Sequence, residues 1–326
     1  MRENELIDKI ERALRGSSHG SRKISLGIGD DAALLPLRAG HELVMTCDWF
    51  LEGTHFPRDK HPPDSVGWKC LARALSDIAA MGGVPRCFLL SLALPSSYTG
   101  RWMDEFLGGL RRVSRRFGCA LAGGDTTQRK QILINITVVG ETQAGQAVLR
   151  SGARPGDIIY VSGHLGEAEL GLQILRRSGR LAIPKDPLLR KHLYPEPRLP
   201  LGQWLAKKAL ASAMMDLSDG LSSDLRRLCA ASGVGALLEG EGIPGIRSSD
   251  IGQKLGLDPL ELALHGGDDY ELLFTVPPRK SRSLPSAFQG VKLTPIGRIT
   301  QKKKLVVCDG NARERPLVAG GWDPFR

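Results

Sequence analysis

The feature of the chain that most constrains its fold is a series of aspartates, each of which follows an apolar segment. A short apolar run is followed by Gly, Ser or Thr and then by Asp, and one further Asp lies near the end of a predicted helix. Strands and helices that bury their apolar residues leave the polar residues that follow at the edge of the core. The pattern therefore predicts a mixed α/β fold that brings several carboxylates to one place, namely Asp30, Asp31, Asp48, Asp77, Asp125, Asp216, Asp219, Asp268 and Asp269.

The adjacent pair Asp30-Asp31 indicates what those carboxylates do. The pair lies between small glycines and an apolar run, and two neighbouring carboxylates repel each other more strongly when they are partly buried. A bound cation relieves this repulsion. Oxygen donors without a Cys or His cluster suit Mg²⁺, and the zinc spacing C-x-x-C is absent. A single Asp in a turn is more often only a turn residue, so the repetition is what favours a metal site.

The charge balance favours anionic partners. The chain has 45 Lys plus Arg against 35 Asp plus Glu, a net charge of +10, which suits either nucleic acid or a phosphorylated small molecule. The basic residues are dispersed, which favours an ordinary solvated surface, and aromatic residues, 5% of the chain, are not interleaved with them as in single-strand binders. A basic chain with a local acidic cluster therefore favours metal-assisted handling of a phosphorylated molecule. A basic nucleic-acid-binding protein is the alternative, and the acidic cluster argues against it.

Three common signatures are excluded. The segment Gly27-x-Gly29-x-x-Ala32 formally matches a dinucleotide fingerprint, but its aspartates would repel a pyrophosphate and Pro36 blocks a following helix. No Walker A loop occurs, which excludes the commonest class of ATPase. Ser218 is not part of a G-x-S-x-G motif, so a hydrolase triad has little support.

The hydrophobic periodicity divides the chain into two α/β domains, 1–142 and 143–326, joined by a Gly/Pro-rich junction at 150–157. The N-terminus lacks a signal-peptide core and no apolar run reaches membrane-spanning length, so we expect a cytoplasmic protein. The pattern predicts helices at 3–15, 65–81, 101–117, 167–175 and 221–233, strands at 43–48, 87–94, 119–122, 132–140, 158–161 and 271–276, and irregular structure at 184–200.

Six short motifs, in this order from about residue 26 to the C-terminal part of the chain, resemble those of the thiamine-monophosphate kinase family. Each motif is short, but six in series are highly specific. They are GIGDDAA (27–33), LSDIAAMG (75–82), AGGDTT (122–127), RSGARPGD (150–157), DLSDGL (216–221) and GGDDYEL (266–272).

This resemblance implies the two-domain fold of the aminoimidazole-ribonucleotide synthetase superfamily, with an N-terminal domain that forms a homodimer and a larger C-terminal domain. It also implies ATP-dependent phosphorylation of thiamine monophosphate to thiamine diphosphate by direct transfer, with several Mg²⁺ ions and with no nucleic-acid or membrane partner. The alternative enzyme is another ATP-using member of the same superfamily.

The resemblance also assigns roles to residues that match the motifs, with Asp30 as an additional ligand or a support. Catalytic roles fall to Asp48, Asp77, Asp125 and Arg150, and ATP contacts to Gly124, Asp125, Arg150 and Ser218. Substrate contacts fall to His55, Asp268 and Trp322, where Asp268 replaces the usual glutamate and Trp322 the more frequent tyrosine. Metal ligands fall to Asp31, Thr46, Cys47, Asp48, Asp77, Asp125, Asp216 and Asp219, with Cys47 in place of the usual threonine.

Overall fold

The structure is a computed structural model that describes residues 3–14, 24–25, 33, 35–177, 187–246, 255–308 and 313–325. The predicted pair Asp30-Asp31 lies outside the described residues. The described chain forms two sheet units. The first contains α1 (Glu3–Leu14), β1 (His41–Leu51), α2 (Pro63–Ala80), β2 (Val84–Leu94), α3 (Arg101–Phe117), β3 (Ala120–Gln128) and β4 (Leu133–Gln143).

The second unit begins at β5 and alternates strands and helices. Its elements are β5 (Ile158–Ser162), α4 (Glu167–Arg177), α5 (Pro187–Leu193), α6 (Leu199–Lys207), β6 (Ala213–Asp216), α7 (Leu221–Ser232), β7 (Gly235–Glu239), α8 (Pro259–His265), β8 (Leu272–Val276), α9 (Pro278–Ser281), β9 (Ala287–Phe288), β10 (Val291–Thr300), β11 (Leu305–Cys308) and β12 (Glu314–Pro316).

Each unit is built on its own sheet. The first sheet has the order β1-β4-β2-β3, with β2 and β3 parallel and the other pairs antiparallel. The second has the order β12-β11-β7-β10-β5-β8-β6, and β9 pairs with β10. The two sheets confirm the predicted two-domain α/β class. The exact boundary at residue 142 stays a prediction.

Helix α2 lies at the centre of the molecule. Leu71, Leu75 and Ile78 are fully buried, and the main hydrophobic core runs from them into Met214 and Phe274 of the second unit. Burial of such side chains stabilises the fold by roughly 1.5–3 kcal/mol each. One continuous core therefore fixes α2 against both sheets.

Close packing of α2 on α3 depends on two glycines. A Cβ atom at Gly67 would lie 2.0 Å from the carbonyl oxygen of Phe106, and one at Gly109 would lie 1.8 Å from that of Asp64. Such distances exclude any side chain, so the helices meet backbone to backbone. This contact holds α2 rigidly in place.

Two sequence predictions were wrong in extent. The strand predicted at 119–122 continues through the Gly-Gly-Asp-Thr-Thr segment to Gln128, because β2 pairs with it in register along that length. The segment predicted to be irregular at 184–200 contains α5 and the start of α6, since prolines occupy the first turns of helices, where no amide hydrogen bond is lost. The remaining predicted helices and strands are present, with ends that differ by a few residues.

Among the described residues, no helix is both long enough and apolar enough to span a membrane.

Candidate active site

A cavity of about 900 Å³ lies where the two sheet units meet. It receives side chains from β1, from α2 and from the loops that follow β6 and precede β8. Eight of the residues predicted from the sequence line it together: Asp48, His55, Asp77, Asp216, Ser218, Asp219, Asp268 and Trp322.

Helix α2 supplies one wall of this cavity. Lys69, Arg73 and Asp77 are spaced four residues apart, so they lie on one face of the helix. Arg73 and Asp77 line the cavity, and Lys69 lies behind it. Asp77 is in the last turn of α2, where the helix dipole disfavours a negative charge. That placement is consistent with a role other than helix stability.

Strand β1 supplies the neighbouring wall through its inward face. Thr46, Asp48 and Phe50 point inward, while Cys47 and Trp49 between them are exposed, as strand alternation requires. The Thr46 hydroxyl donates a hydrogen bond to Oδ2 of Asp77. Thr46 therefore orients the Asp77 carboxylate.

Three carboxylates come together at this wall. Burial raises the pKa of Asp48 to about 6, against the opposing charge of Arg73. Burial also raises the pKa of Asp77, and burial together with the Asp77 charge raises that of Asp216. Carboxylates that are buried near one another resist ionisation for these reasons. Without a cation, the cluster is electrostatically unfavourable.

The Leu-Ser-Asp-Gly turn after β6 is held by a carboxylate that lies outside the cavity. Oδ2 of Asp224, on α7, accepts hydrogen bonds from the backbone N–H groups of Ser218 and Asp219 at 3.1 and 3.0 Å. Arg227 bridges both acids, with its Nη1 2.6 Å from Asp219 and from Asp224. The turn thus presents Ser218 and Asp219 to the cavity in a fixed geometry.

Asp268 is held from both sides. Its Oδ2 lies 2.8 Å from Nζ of the buried Lys69, and its Oδ1 accepts a hydrogen bond from the Tyr270 hydroxyl at 2.7 Å. Burial alone would raise the pKa of Asp268, but Lys69 and Arg73 together hold it well below the usual range. Asp268 also has a φ of +66°, which is uncommon for a residue with a side chain. The carboxylate is therefore a fixed negative charge in the wall, and 27% of the side chain remains exposed.

His55 faces the cavity as a neutral imidazole. Its Nδ1 accepts a hydrogen bond from the backbone N–H of Leu51 at 3.0 Å, which leaves Nε2 as the protonated nitrogen. Burial and the Arg73 charge lower the pKa of His55 to about 4. His55 can therefore donate a hydrogen bond into the cavity at neutral pH.

The C-terminal tail closes one end of the cavity. The backbone N–H of Trp322 donates to the carbonyl oxygen of Asp219 at 3.0 Å. A Cβ atom at Gly321 would lie 1.8 Å from that same oxygen, so only glycine allows this approach. The contact places the half-exposed Trp322 indole at the cavity.

The structure does not bring every predicted residue into this cavity. Gly124 and Asp125 are exposed on β3, and Asp125 pairs in register with Ser91 on the outer face of the sheet. Cys47 is exposed on that outer face and contacts Asn135. Arg150 is exposed near the cavity, where its charge acts on Asp77. Asp31 lies outside the described residues, so its predicted role as a ligand stays a prediction.

The donors at the cavity fit Mg²⁺. Asp48, Asp77, Asp216 and Asp219 offer only carboxylate oxygens, which this hard cation prefers together with water and phosphate oxygens. The raised pKa values of the first three reflect a negative charge that a cation would neutralise. Over the described ranges, no three acidic, imidazole or thiol side chains are already close enough to enclose an ion. Phosphate oxygens of a substrate would complete the coordination.

Sequence reasoning missed three residues of the site: Lys69, Arg73 and Asp224. The first two could have been found, because charged residues at four-residue intervals in an otherwise apolar helix indicate a functional face. Asp224 follows the turn within one helical turn of α7, and an acidic residue there commonly binds backbone N–H groups. Each of the three interacts with predicted residues: Lys69 pairs with Asp268, the Arg73 charge opposes the effect of burial on the pKa of Asp48, and Asp224 binds the backbone of Ser218 and Asp219.

The fold and this cavity define a class. Residues 29–142 match the family model for the N-terminal domain of AIR synthase related proteins, and residues 154–309 match the model for the C-terminal domain of the same proteins. The crystal structure of thiamine-monophosphate kinase from Stenotrophomonas maltophilia K279a has a TM-score of 0.83 and 37% identity, over 94% of this chain and 96% of that one. The chain is thus a two-domain member of the AIR synthase related proteins.

The curated relatives narrow the class. Thiamine-monophosphate kinase from Bacillus subtilis is 35% identical over 100% of both chains, and that from Escherichia coli K12 is 39% identical over 85% of both. AaThiL in complex with AMPPCP and TMP has a TM-score of 0.79 and 33% identity, over 100% of this chain and 99% of that one. The chain belongs to the thiamine-monophosphate kinase family.

Proposed function

We propose that this chain transfers the γ-phosphoryl group of ATP to thiamine monophosphate, which yields thiamine diphosphate and ADP. One observation supports this most strongly: the acids of α2, β1 and the β6 turn meet the predicted substrate contacts His55, Asp268 and Trp322 in one cavity. AaThiL, a relative that matches along the whole chain, binds both AMPPCP and TMP.

The cavity suits phosphoryl transfer because that reaction needs positioning and charge neutralisation more than it needs covalent catalysis. Asp48, Asp77, Asp216 and Asp219 would hold Mg²⁺, which when bound neutralises phosphate charge. Arg150 would offer its planar guanidinium to phosphate oxygens of ATP. The acceptor phosphate is already ionised near neutral pH, so no strong general base is required.

The other end of the cavity suits the thiamine part of the acceptor. Trp322 offers an apolar face for stacking on an aromatic ring system that carries positive charge. Asp268 would supply a fixed negative charge, and His55 a hydrogen-bond donor, to polar groups of that ring system. Lys69 and Tyr270 hold the Asp268 carboxylate at the wall of the cavity.

Product analysis tests this function. The protein is incubated with ATP, Mg²⁺ and thiamine monophosphate, and the thiamine species and nucleotides are separated by chromatography. We expect thiamine diphosphate and ADP in equal amounts, with no product when thiamine replaces the monophosphate. ADP and free phosphate without thiamine diphosphate would favour another reaction of the superfamily. Hydrogenase maturation protein HypE shares the fold at 19% identity, so the fold alone does not decide between thiamine-monophosphate phosphorylation and another reaction.

A homodimer is part of the same proposal. The outer face of the first sheet exposes Leu43, Met45 and Trp49 of β1, and Leu89 of β2 is exposed on the same face, in the row of Cys47. Adjacent exposed apolar side chains on a sheet face are typical of a protein interface. The predicted residues Cys47 and Asp125 also lie on this face, so a second copy of the chain would cover them.

A further inference from the structure

Arg73 is a cation within an acidic cavity, and the predicted site does not use it. It lies in the middle of α2, in a stretch where its neighbours Ala72 and Ala74 are fully buried. Its Nε atom is sealed from solvent and has no hydrogen-bond partner among the described residues. A buried polar nitrogen without a partner is costly unless a ligand satisfies it.

The Arg73 guanidinium lies over an aromatic ring. Its Cζ atom lies 5.3 Å from the centroid of the Phe50 ring. Over the described ranges, no carboxylate lies within 4 Å of its nitrogens, although the Lys69 and Arg227 side chains nearby are both paired in this way. Since Arg73 lines the cavity, the rest of its guanidinium is open to a ligand there and is not committed to a protein acid.

Arg73 lines the cavity together with both groups of predicted site residues. Asp48 and Asp219 are predicted metal ligands, and His55 and Asp268 are predicted to contact the substrate. The acceptor phosphate must lie where these two groups meet, because it joins the bound thiamine ring system to the transferred phosphoryl group.

We infer that Arg73 binds the phosphate group of the acceptor and so makes the site prefer a phosphorylated thiamine over thiamine itself. This inference rests on the proposed function. A guanidinium suits the task because its planar array of N–H donors matches phosphate oxygens in pairs. Its permanent charge also offsets the repulsion between an incoming phosphate and the acids around it.

The test measures affinity for two ligands that differ only in the phosphate. Dissociation constants for thiamine monophosphate and for thiamine are measured by calorimetry with Mg²⁺ and without ATP, for the wild type and for Arg73→Met and Arg73→Lys. We expect Arg73→Met to weaken binding of thiamine monophosphate about 10- to 100-fold, the usual range for a lost charge-assisted hydrogen bond. Binding of thiamine should change less than about threefold, and Arg73→Lys should restore part of the loss.

Arg111→Met is the matched control, because it removes the same charge from an exposed position on α3. It should leave both dissociation constants unchanged. Circular dichroism and the thermal midpoint establish that each Arg73 variant is folded, and Arg73→Lys keeps the test valid if Arg73→Met does not fold.

The outcomes separate the two proposals. Equal loss of affinity for both ligands in a folded Arg73 variant, or no loss for either, would overturn the role of Arg73 while the wild type still forms thiamine diphosphate. A wild type that binds thiamine as tightly as thiamine monophosphate and forms no thiamine diphosphate would overturn the proposed function, and the role of Arg73 with it.

Discussion

Lys69 and Asp268 form an ion pair that joins the two sheet units, with 2.8 Å between Nζ and Oδ2. Lys69 is 1% exposed and comes from α2, whereas Asp268 precedes β8, 199 positions further along the chain. The pair fixes the predicted substrate contact Asp268 relative to the helix that carries Arg73 and Asp77. The relative position of the two units is thereby coupled to the geometry of the site.

We expect Lys69→Met to lower the free energy of unfolding by about 3 kcal/mol, because it leaves the Asp268 carboxylate without its partner in the wall. The double variant Lys69→Met/Asp268→Asn should recover part of this loss, since no uncompensated charge remains. Urea unfolding measures both effects. Arg101→Met is the control, because it breaks an exposed pair of the same 2.8 Å length with Glu105 and should cost less than about 0.5 kcal/mol. Equal losses in the buried and the exposed pair would contradict this account.

Asp48→Asn should lower turnover and raise stability at the same time. Loss of a carboxylate that we propose to hold Mg²⁺ should reduce turnover at least about 100-fold. Because burial raises the pKa of Asp48 from 3.8 to about 6, its ionised form destabilises the fold above pH 6. The neutral amide should therefore raise the free energy of unfolding by about 1–3 kcal/mol at pH 8 in EDTA.

Asp59→Asn is the matched control for Asp48→Asn, because it makes the same change at an exposed position. It should change neither turnover nor the free energy of unfolding. A folded Asp48→Asn or Asp77→Asn variant with near-normal turnover would exclude the acidic cluster as the metal site.

His61 should make the fold sensitive to mild acid. It is 1% exposed, its ring nitrogens have no hydrogen-bond partner among the described residues, and it is packed against Phe56 and His192. Burial and then the Lys69 charge lower its pKa from 6.5 to about 3, while Asp268 acts in the opposite direction. Between pH 6.5 and 3 the unfolded chain therefore binds a proton that the folded chain does not, so stability falls as pH falls through this window.

We expect His61→Phe to reduce the loss of unfolding free energy between pH 8 and pH 5 by about 2 kcal/mol. Denaturant unfolding at the two pH values measures this difference. His41→Gln, at an exposed histidine, should leave the difference as it is in the wild type. An unchanged pH dependence in His61→Phe would show that His61 titrates normally in the folded chain.

The outer sheet face should set the oligomeric state. Met45 is 64% exposed and Trp49 is 55% exposed, so burial of this face in a dimer would remove apolar area from water. Met45→Glu/Trp49→Glu should convert a dimer into a monomer of 35.3 kDa by light scattering after size exclusion. Val318→Glu, which also charges an exposed apolar position, should remain dimeric. A monomeric wild type at micromolar concentration would contradict the proposed homodimer.

The sequence predicted most of the architecture because its periodic segments are long and have clear ends. Helix α3 was predicted to its terminal residues, since Gly118 ends it in the left-handed conformation. The strand through Gly123-Gly124-Asp125 was missed because glycines usually break strands. Here a Cβ atom at Gly124 would lie 1.9 Å from the carbonyl oxygen of Leu90, so the close approach of β2 requires glycine within the strand.

The site was predictable to the extent that its residues follow apolar segments. Asp48, Asp216 and Asp219 were identified in this way and Asp77 by its place near a helix end, and the structure brings all four to one cavity. Lys69 and Arg73 were missed because a charged residue inside an apolar helix is normally assigned to its solvent-facing side. The structure shows that α2 is buried along most of its length, so their four-residue spacing with Asp77 was the signal that marked a functional face.

We propose that the acids of this cavity support transfer of a phosphoryl group from ATP to thiamine monophosphate. The most direct measurement follows the label from [γ-³²P]ATP in the wild type with Mg²⁺, in the wild type with EDTA, and in Asp77→Asn with Mg²⁺. We expect the label in thiamine diphosphate only in the first reaction. Label that appears in inorganic phosphate instead, or that reaches thiamine diphosphate equally well in all three reactions, would contradict this function of the cavity.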